Sequence, residues 1–172
     1  MSIRLDNNAL PSITRTPTPD YDRTQAGVGF VHFGVGGFHR AHQAMYIDRV
    51  LAEHDSLSWG ICGVGIRPAD RAMRDALVPQ DCLYTLTLKS PDGAVDTSVI
   101  GSILEYLYAP DDPEAVLTRL ADPDTHIVSL TITEGGYNFS PATGEFDAEN
   151  PDIVADLRGD RRRCPDSRRR TH

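Results

Sequence analysis

The glycine-rich stretch over residues 27–42, GVGFVHFGVGGFHRAH, has the residue types and spacing of a dinucleotide-binding turn. An apolar run, Val28–Phe33, leads into three glycines, Gly34, Gly36 and Gly37. In such a strand–turn–helix unit the first glycine makes the tight turn and the second lets the backbone approach a pyrophosphate. The N–H groups of the following helix then hold the pyrophosphate charge. The pattern predicts binding of a nicotinamide dinucleotide, NAD.

The glycine pattern is imperfect, because His39 occupies the position of the third glycine in G-V-G-G-F-H. Taken alone, the three glycines are as consistent with an ordinary turn between a strand and a helix. Arg40 supplies a cation beside the expected phosphates. We expect the pyrophosphate to be surrounded by Gly34, Gly36, Gly37, Phe38, His39 and Arg40.

The acid expected to hold the adenosine ribose is the one that lies just beyond the carboxyl end of the second predicted strand. Asp55 has the usual spacing of about twenty residues from the glycines, but it precedes the second predicted strand, whereas Asp70 follows that strand. Asp70 either holds the ribose 2′-hydroxyl or helps to cap the next helix, and the residues leave both alternatives open. Arg67 could stack on adenine or accept the 2′-phosphate of NADP.

Thr133 and Glu134 lie at the carboxyl end of a third apolar strand, where ligands bind in open α/β sheets. We therefore expect them at the nicotinamide end of the cofactor. Glu134 could relay a proton or orient a water molecule. Alternatively, its carboxylate accepts hydrogen bonds from the backbone amides of the Gly135-Gly136 turn.

Three motifs occur in an order that resembles a known family: FGVGGFHRAHQA, then WGICGVG with Arg67 and Asp70 after it, then SLTITEGGY. They resemble the long-chain polyol-specific dehydrogenases, the family of mannitol 2-dehydrogenase and the hexuronate reductases. The resemblance spans residues 27–157. It implies an NAD-dependent enzyme that interconverts a polyol, such as mannitol or arabinitol, or a sugar acid with its keto form. It also implies that Asp70 favours NAD over NADP, and that Glu134 takes part in the cleft without being the principal base.

Apolar periodicity predicts the elements that position these residues. Short apolar runs suit strands buried on both faces of a parallel sheet, and they lie at residues 28–33, 57–64 and 126–132. Helices are predicted at residues 38–53, 69–77, 111–121 and 150–157. Alternation predicts a hairpin of residues 82–88 and 95–103 around Ser90–Gly93. The fold class is α/β: a Rossmann-type, doubly wound, mainly parallel sheet with a β-hairpin insertion, forming an incomplete domain.

Two helices have predicted inward faces. In the first, the spacing places Ala41, Ala44, Met45, Ile47, Val50 and Leu51 on the sheet. In the helix capped by Asp112, with Pro113 at its first position and Glu114 in its first turn, Leu117 and Leu120 should face inward.

Composition narrows the remaining function classes. Of the 172 residues, 40% are apolar and 24% charged, and no apolar run reaches the roughly 18 residues of a membrane span. The N-terminal residues lack the apolar core of a signal peptide, so a cytoplasmic monomer is expected. Cys62, Cys82 and Cys164 show no zinc or disulfide spacing. His39 and His42 lack a third metal ligand, so we expect them to face solvent or phosphate and expect no metal.

The last fifteen residues, RGDRRRCPDSRRRTH, carry a net charge of +5, which leaves −13 for residues 1–157 of a chain whose total is −8. An acidic body repels polyphosphate, so nucleic-acid binding by the folded part is not expected. We expect an extended lead-in at residues 1–24, a nucleotide-binding domain at 25–157 and a tail at 158–172.

The composition of the tail favours a frameshifted or truncated product. The family's catalytic lysine segment has no match, and Lys89 is the chain's one lysine. We expect no catalytic residue in this chain and no activity from it alone. The alternative is a non-enzymatic nucleotide-binding or interaction module with a basic arm.

Overall fold

The computed structural model describes residues 4–53, 56–132, 134–140 and 142–158, in two compact units that meet in sequence between Thr131 and Ile132. The strands of the first unit are β1 (Val28–Phe33), β2 (Gly60–Gly65), β3 (Tyr84–Lys89), β4 (Val95–Ile100), β5 (Ile103–Tyr108) and β6 (Ile127–Leu130). Its α-helices are α1 (Gly37–Ala41), α2 (Gln43–Glu53), α3 (Arg71–Leu77) and α4 (Pro113–Leu120). Short 3₁₀ turns are Leu10–Ser12, Leu57–Trp59, Pro68–Asp70 and Val78–Gln80.

Four of the strands form a parallel sheet in the order β5-β2-β1-β6, and β3 and β4 form a separate antiparallel pair. From β1 the chain steps outward to β2 and β5, then returns to the other side of β1 as β6. This reversal is typical of the Rossmann fold. The predicted α/β class, the parallel sheet and the hairpin insertion are confirmed.

Helices cover both faces of the sheet, as a doubly wound fold requires. On one face, Ile61 and Ile103 pack in a cluster with Ala44 of α2 and Leu77 of α3. On the other, Val31, Cys62 and Val64 pack against Val116 of α4, in a second cluster. Alternate residues of β2 therefore serve opposite cores, because successive side chains of a strand point to opposite faces.

The strand β5 was not predicted as a separate element. Residues 95–103 read as one strand, but the chain leaves the hairpin after Ile100 and enters the parallel sheet at Ile103. Gly101 marks the break: a Cβ there would lie 2.5 Å from Pro19 Cγ and 2.9 Å from Arg23 Cδ. The lead-in packs so closely that only glycine fits.

Four further predictions of element length and burial are corrected by the structure. The first helix is broken at His42, whose φ of −123° and ψ of −80° are not helical. Strand β6 was expected to be buried, yet Val128 is 52% and Leu130 60% exposed, because β6 is an edge of the described sheet. In α4, the buried residue is Val116, and Leu117 is 51% exposed. Val50 of α2 is also exposed, contrary to its predicted inward face.

The residues before β1 are tied to the first unit by Arg23. Its guanidinium donates hydrogen bonds to the backbone oxygens of Gly101 (2.8 Å), Asp81 (2.8 Å) and Ile103 (2.9 Å). The Tyr21 hydroxyl donates to Asp48 at 2.7 Å. The described residues of the lead-in therefore pack on the first unit.

The second unit is small. It contains a 3₁₀ turn (Glu134–Tyr137), an antiparallel bridge between Phe139 and Phe146, and the helix α5 (Pro151–Leu157). The Asn150 side chain caps α5 by accepting from the Asp152 N–H at 2.9 Å. The helix predicted at 150–157 is confirmed. The predicted tail falls, from residue 159 onward, outside the described residues.

Candidate dinucleotide site

The topology creates one crevice at the carboxyl ends of β1 and β6. The connection after β1 leads to one side of the sheet, and β6 is reached from the other side. In open α/β sheets, ligands bind where the strand order reverses in this way. The glycine turn that follows β1 lies at this crevice.

The backbone of the glycine turn is shaped by Gly34 and left open by the two glycines after it. Gly34 has a φ of +87°, which disfavours any residue with a Cβ, and its N–H donates to Val64 O at 2.9 Å. Gly36 is extended, with φ −82° and ψ −176°, and precedes α1. Apart from neighbours along the chain, a Cβ built on Gly36 or Gly37 would meet no atom of the described residues within 4 Å. Neither glycine is needed for the packing or the backbone conformation of the protein itself.

His39 is buried in this turn, not exposed. Its side chain is 1% exposed, and its ring stacks on His32 of β1 with centroids 3.8 Å apart and planes at 9°. Its Nδ1 is 2.8 Å from Gln43 Oε1, whereas Nε2 is buried without a hydrogen-bond partner. The expectation that the His39 side chain faces solvent or phosphate is therefore wrong. Any contact of this residue with a pyrophosphate would have to come from its backbone N–H.

Burial sets the protonation of this pair. It lowers the pKa of His39 to about 4, with a further contribution from the neighbouring His32. Burial also lowers the pKa of His32, against an opposing effect of the Gly34 backbone. Both imidazoles are therefore neutral at neutral pH.

A second ring pair lies on the outer side of α1. Phe38 and His42 are exposed and stack with centroids 4.6 Å apart. The His42 Nδ1 lies 2.9 Å from the Phe38 carbonyl oxygen, a contact within the same turn. Among the described residues, no group of three or more His, Cys, Asp or Glu side chains could hold a metal ion.

The Arg40 side chain contacts residues of α3 and β3. Its guanidinium lies 2.9 Å from Met73 Sδ and 6.0 Å from the centroid of the Tyr84 ring. No carboxylate among the described residues forms an ion pair with it. Arg40 lines a cavity of about 470 Å³ together with Gly37, Arg4 and Gln80. A partly buried cation without an acidic partner is suited to an anion.

Asp70 lies just beyond the carboxyl end of β2, as predicted, and it closes the loop there. Its Oδ2 accepts hydrogen bonds from the backbone N–H groups of Ile66 and Arg67, both at 2.9 Å. These bonds cap the 3₁₀ turn Pro68–Asp70, whereas the Asp70 side chain makes no capping hydrogen bond to α3, so the predicted capping of the next helix is not observed. Both bonds end on Oδ2, so Oδ1 is the atom that a ribose hydroxyl would contact. The Arg67 side chain is exposed.

The place of Thr133 and Glu134 at the nicotinamide end stays a prediction. Thr133 and Asp55 lie outside the described residues, and Glu134 begins the 3₁₀ turn of the second unit. Cys62 and Cys82 are buried free thiols, and burial raises the pKa of Cys82 to about 11. No helix among the described residues is long and apolar enough to cross a membrane.

The polar residues beneath the glycine turn were missed at the sequence level. His32 Nδ1 lies 2.8 Å from Ser129 Oγ, and Gln43 Nε2 donates to the same oxygen at 3.4 Å. A histidine inside the apolar run VGFVHF is the signal that could have revealed them, since a buried polar side chain needs partners.

Comparisons with known proteins agree with this architecture. Residues 28–160 match the family model described as the mannitol dehydrogenase Rossmann domain. The chain is 47% identical over 159 residues to mannitol 2-dehydrogenase of Pyrenophora tritici-repentis, covering 92% of this chain and 28% of that protein. It is 54% identical over 144 residues to mannitol 2-dehydrogenase of Aspergillus terreus, covering 83% and 28%.

Solved structures give the same result. The Pseudomonas fluorescens mannitol 2-dehydrogenase ternary complex with NAD and D-mannitol superposes with a TM-score of 0.79 at 43% identity, covering 91% of this chain and 32% of that one. A D-sorbitol dehydrogenase in substrate-free form gives 0.75 at 45% identity, covering 90% and 32%. The chain thus spans less than a third of the length of these relatives. It belongs to the mannitol dehydrogenase family, and its matched residues form an incomplete Rossmann domain.

Proposed function

We propose that the chain binds NAD at the turn between β1 and α1, as the cofactor-binding part of a polyol dehydrogenase. The reaction would interconvert a polyol, such as mannitol or arabinitol, or a sugar acid with its keto form. Support comes from family membership and from the solved relative that holds NAD and D-mannitol. The bound nicotinamide would supply the hydride acceptor, and the protein would supply position and a proton acceptor.

The observation that carries this proposal is the empty space around Gly36 and Gly37. Elsewhere in the sheet a glycine is needed for packing: a Cβ on Gly63 would lie 2.6 Å from Val35 Cγ2. At Gly36 and Gly37 no protein atom is near, although the backbone at Gly36 is one that any residue adopts. The lack of a side chain at Gly36 and Gly37 allows a ligand to approach the main chain.

The proposed roles follow the geometry of the turn. The backbone from Gly34 to His39 would hold the pyrophosphate, because the first N–H groups of a helix have no acceptor within that helix. Arg40 would add a cation, and Phe38 would cover the phosphates from the solvent side. Asp70 would hold the adenosine ribose through Oδ1, beside Arg67. Thr133 and Glu134 are proposed for the nicotinamide end.

The test is titration of the 172-residue chain with NAD by calorimetry, beside a Gly36→Val variant. The variant should fold with an unchanged melting temperature, since its Cβ meets no protein atom, and yet lose NAD binding, since the branched side chain blocks the main chain. A Gly63→Val variant provides the contrast, because there the fold itself should fail. Unchanged NAD binding by the Gly36 variant would overturn the placement of the cofactor.

A further inference from the structure

The third glycine of the dinucleotide pattern normally lets the helix pack closely on the strand. Here His39 takes that position, and its ring lies between α1 and β1, 3.8 Å from His32 and 1% exposed. Two stacked imidazole rings therefore determine the distance between α1 and β1 at the turn. In the usual pattern a glycine at this position, having no side chain, allows a close approach.

The stacked pair belongs to a partly buried network that reaches β6. His39 contacts Gln43 (2.8 Å), and Gln43 contacts Ser129 of β6 (3.4 Å). His32 contacts Ser129 (2.8 Å) and Thr131 (3.2 Å). The network joins the first residues of α1 and α2 to the carboxyl ends of β1 and β6. These are the strands between which the sheet order reverses.

Stability alone does not explain the choice of histidine. Gln43 donates through Nε2 to Ser129, so its Oε1 accepts from His39, which places the proton on Nδ1 and leaves Nε2 as an acceptor. That acceptor is buried without a partner. Such an atom is costly, and an apolar ring of similar size would avoid the cost.

We propose that the His32–His39 stack, joined through Gln43 to Ser129, positions the glycine turn for the dinucleotide in place of the missing third glycine. His39 and Gln43 are positioning residues that act through the backbone of the turn. The inference rests on the proposed NAD binding and adds to it the residues that determine its affinity.

The test compares His39→Phe, Gln43→Leu, the double variant, and His42→Phe as the control on the exposed side of the same helix. The phenyl ring keeps the stack and removes the unpaired nitrogen, so His39→Phe should unfold at the same or a higher urea concentration. It should nevertheless bind NAD at least about fivefold more weakly, the equivalent of one hydrogen bond. Gln43→Leu should also bind more weakly. The NAD affinity of the double variant should be no lower than that of the single variant with the lower affinity, because both residues act through one network. His42→Phe should leave affinity and stability unchanged.

The outcomes separate this inference from the proposed function. Wild-type chain that does not bind NAD contradicts the proposed function. The positioning role is then judged from the amide resonances of Gly34 and Gly36, which should move in His39→Phe and stay in place in His42→Phe. Unchanged amides, unchanged NAD affinity in His39→Phe, or a loss of stability that accounts for its loss of affinity would each overturn the positioning role.

Discussion

Asp70 closes the loop after β2 and is proposed to hold the adenosine ribose, and a sequence cannot separate these two tasks because both place a carboxylate after β2. Its Oδ2 closes the loop through the N–H groups of Ile66 and Arg67. A ribose hydroxyl would use the other oxygen. The two tasks differ in what they require of the side chain: the cap needs an acceptor atom, whereas discrimination against a 2′-phosphate needs a negative charge.

Substitution of Asp70 by asparagine and by alanine should separate these tasks. Asparagine keeps a hydrogen-bond acceptor, so Asp70→Asn should leave the free energy of unfolding unchanged. It should reduce the ratio of NAD affinity to NADP affinity. Asp70→Ala should narrow the preference and also unfold more easily, by about 0.5–2 kcal/mol. The loss of NAD affinity is expected at roughly 1–3 kcal/mol if the ribose bond is buried. Urea unfolding and calorimetry with both cofactors measure the two effects. A constant affinity ratio in both variants would make Asp70 a cap alone.

The lead-in before β1 is part of the first unit. Arg23 donates to three backbone carbonyls, one at Asp81 before β3 and two at Gly101 and Ile103 between β4 and β5. The Val99 N–H donates to Pro17 O at 2.8 Å. Burial lowers the pKa of Arg23, so these carbonyls and not a solvent shell satisfy its charge.

Arg23→Met should therefore destabilise the unit by at least about 1.5–3 kcal/mol, the size of one hydrogen bond to a charged group. Arg15→Met is the matched control, because Arg15 lies in the same lead-in and is exposed. Urea denaturation followed by circular dichroism measures both. Equal midpoints for the two variants would show that the lead-in packs without contributing stability.

The edge strand β6 is the other element with a testable consequence. Val128 and Leu130 are largely exposed, and an unpaired edge with apolar side chains favours association with another strand. Val128→Lys should reduce self-association of the chain in light scattering, because charge at an edge opposes strand pairing. Leu117→Lys removes an equally exposed apolar side chain from α4 and should have less effect. An equal effect of both variants would assign the association to general apolar exposure.

The sequence predicted elements whose signals are local and missed features that depend on neighbours. The bounds of β1 and the Asp112 cap of α4, which accepts from the Ala115 N–H at 2.9 Å, follow from local patterns and are confirmed. The break between α1 and α2 at His42 was not predicted, because no proline or glycine lies there to indicate it. The exposure of β6 depends on which strand lies beside it, and the burial of His39 depends on His32 of another element. Local periodicity therefore predicts neither the exposure of β6 nor the burial of His39.

For the whole molecule, the neutral histidine pair predicts how stability depends on pH. The pKa of His39 falls from 6.5 to about 4 on folding, so below pH 6.5 the unfolded chain binds protons that the folded chain does not. Its contribution to the free energy of unfolding is fully present above pH 6.5 and is lost as the pH falls toward 4. The loss is at most roughly 3 kcal/mol.

Unfolding midpoints of wild type and His39→Phe between pH 4 and 7.5 measure this contribution, since the difference removes the effects of carboxylates such as Asp48. Wild type should lose stability relative to the variant as the pH falls. A pH-independent difference would show that His39 titrates alike in both states.

The last prediction concerns catalysis by the 172 residues alone. We expect NAD binding without measurable oxidation of any polyol. Proton transfer by a positioned base contributes roughly 10²–10⁴-fold, and holding the substrate in place contributes up to about 7–11 kcal/mol. Near the glycine turn His32 and His39 are buried and His42 contacts the Phe38 carbonyl oxygen, and the chain's one lysine, Lys89, ends β3 of the hairpin. We expect neither contribution from these residues.

The assay measures NADH formation with mannitol, arabinitol, sorbitol and hexuronate-derived sugar acids at high protein concentration. Gly36→Val is the control, because it removes the cofactor and leaves the fold. Equal absorbance changes in both proteins would be background. Turnover by the wild-type chain that disappears in the variant would mean that the described residues include an unrecognised base, and it would direct attention to Glu134. Its conservative substitution, Glu134→Gln, should then abolish turnover while leaving NAD binding intact.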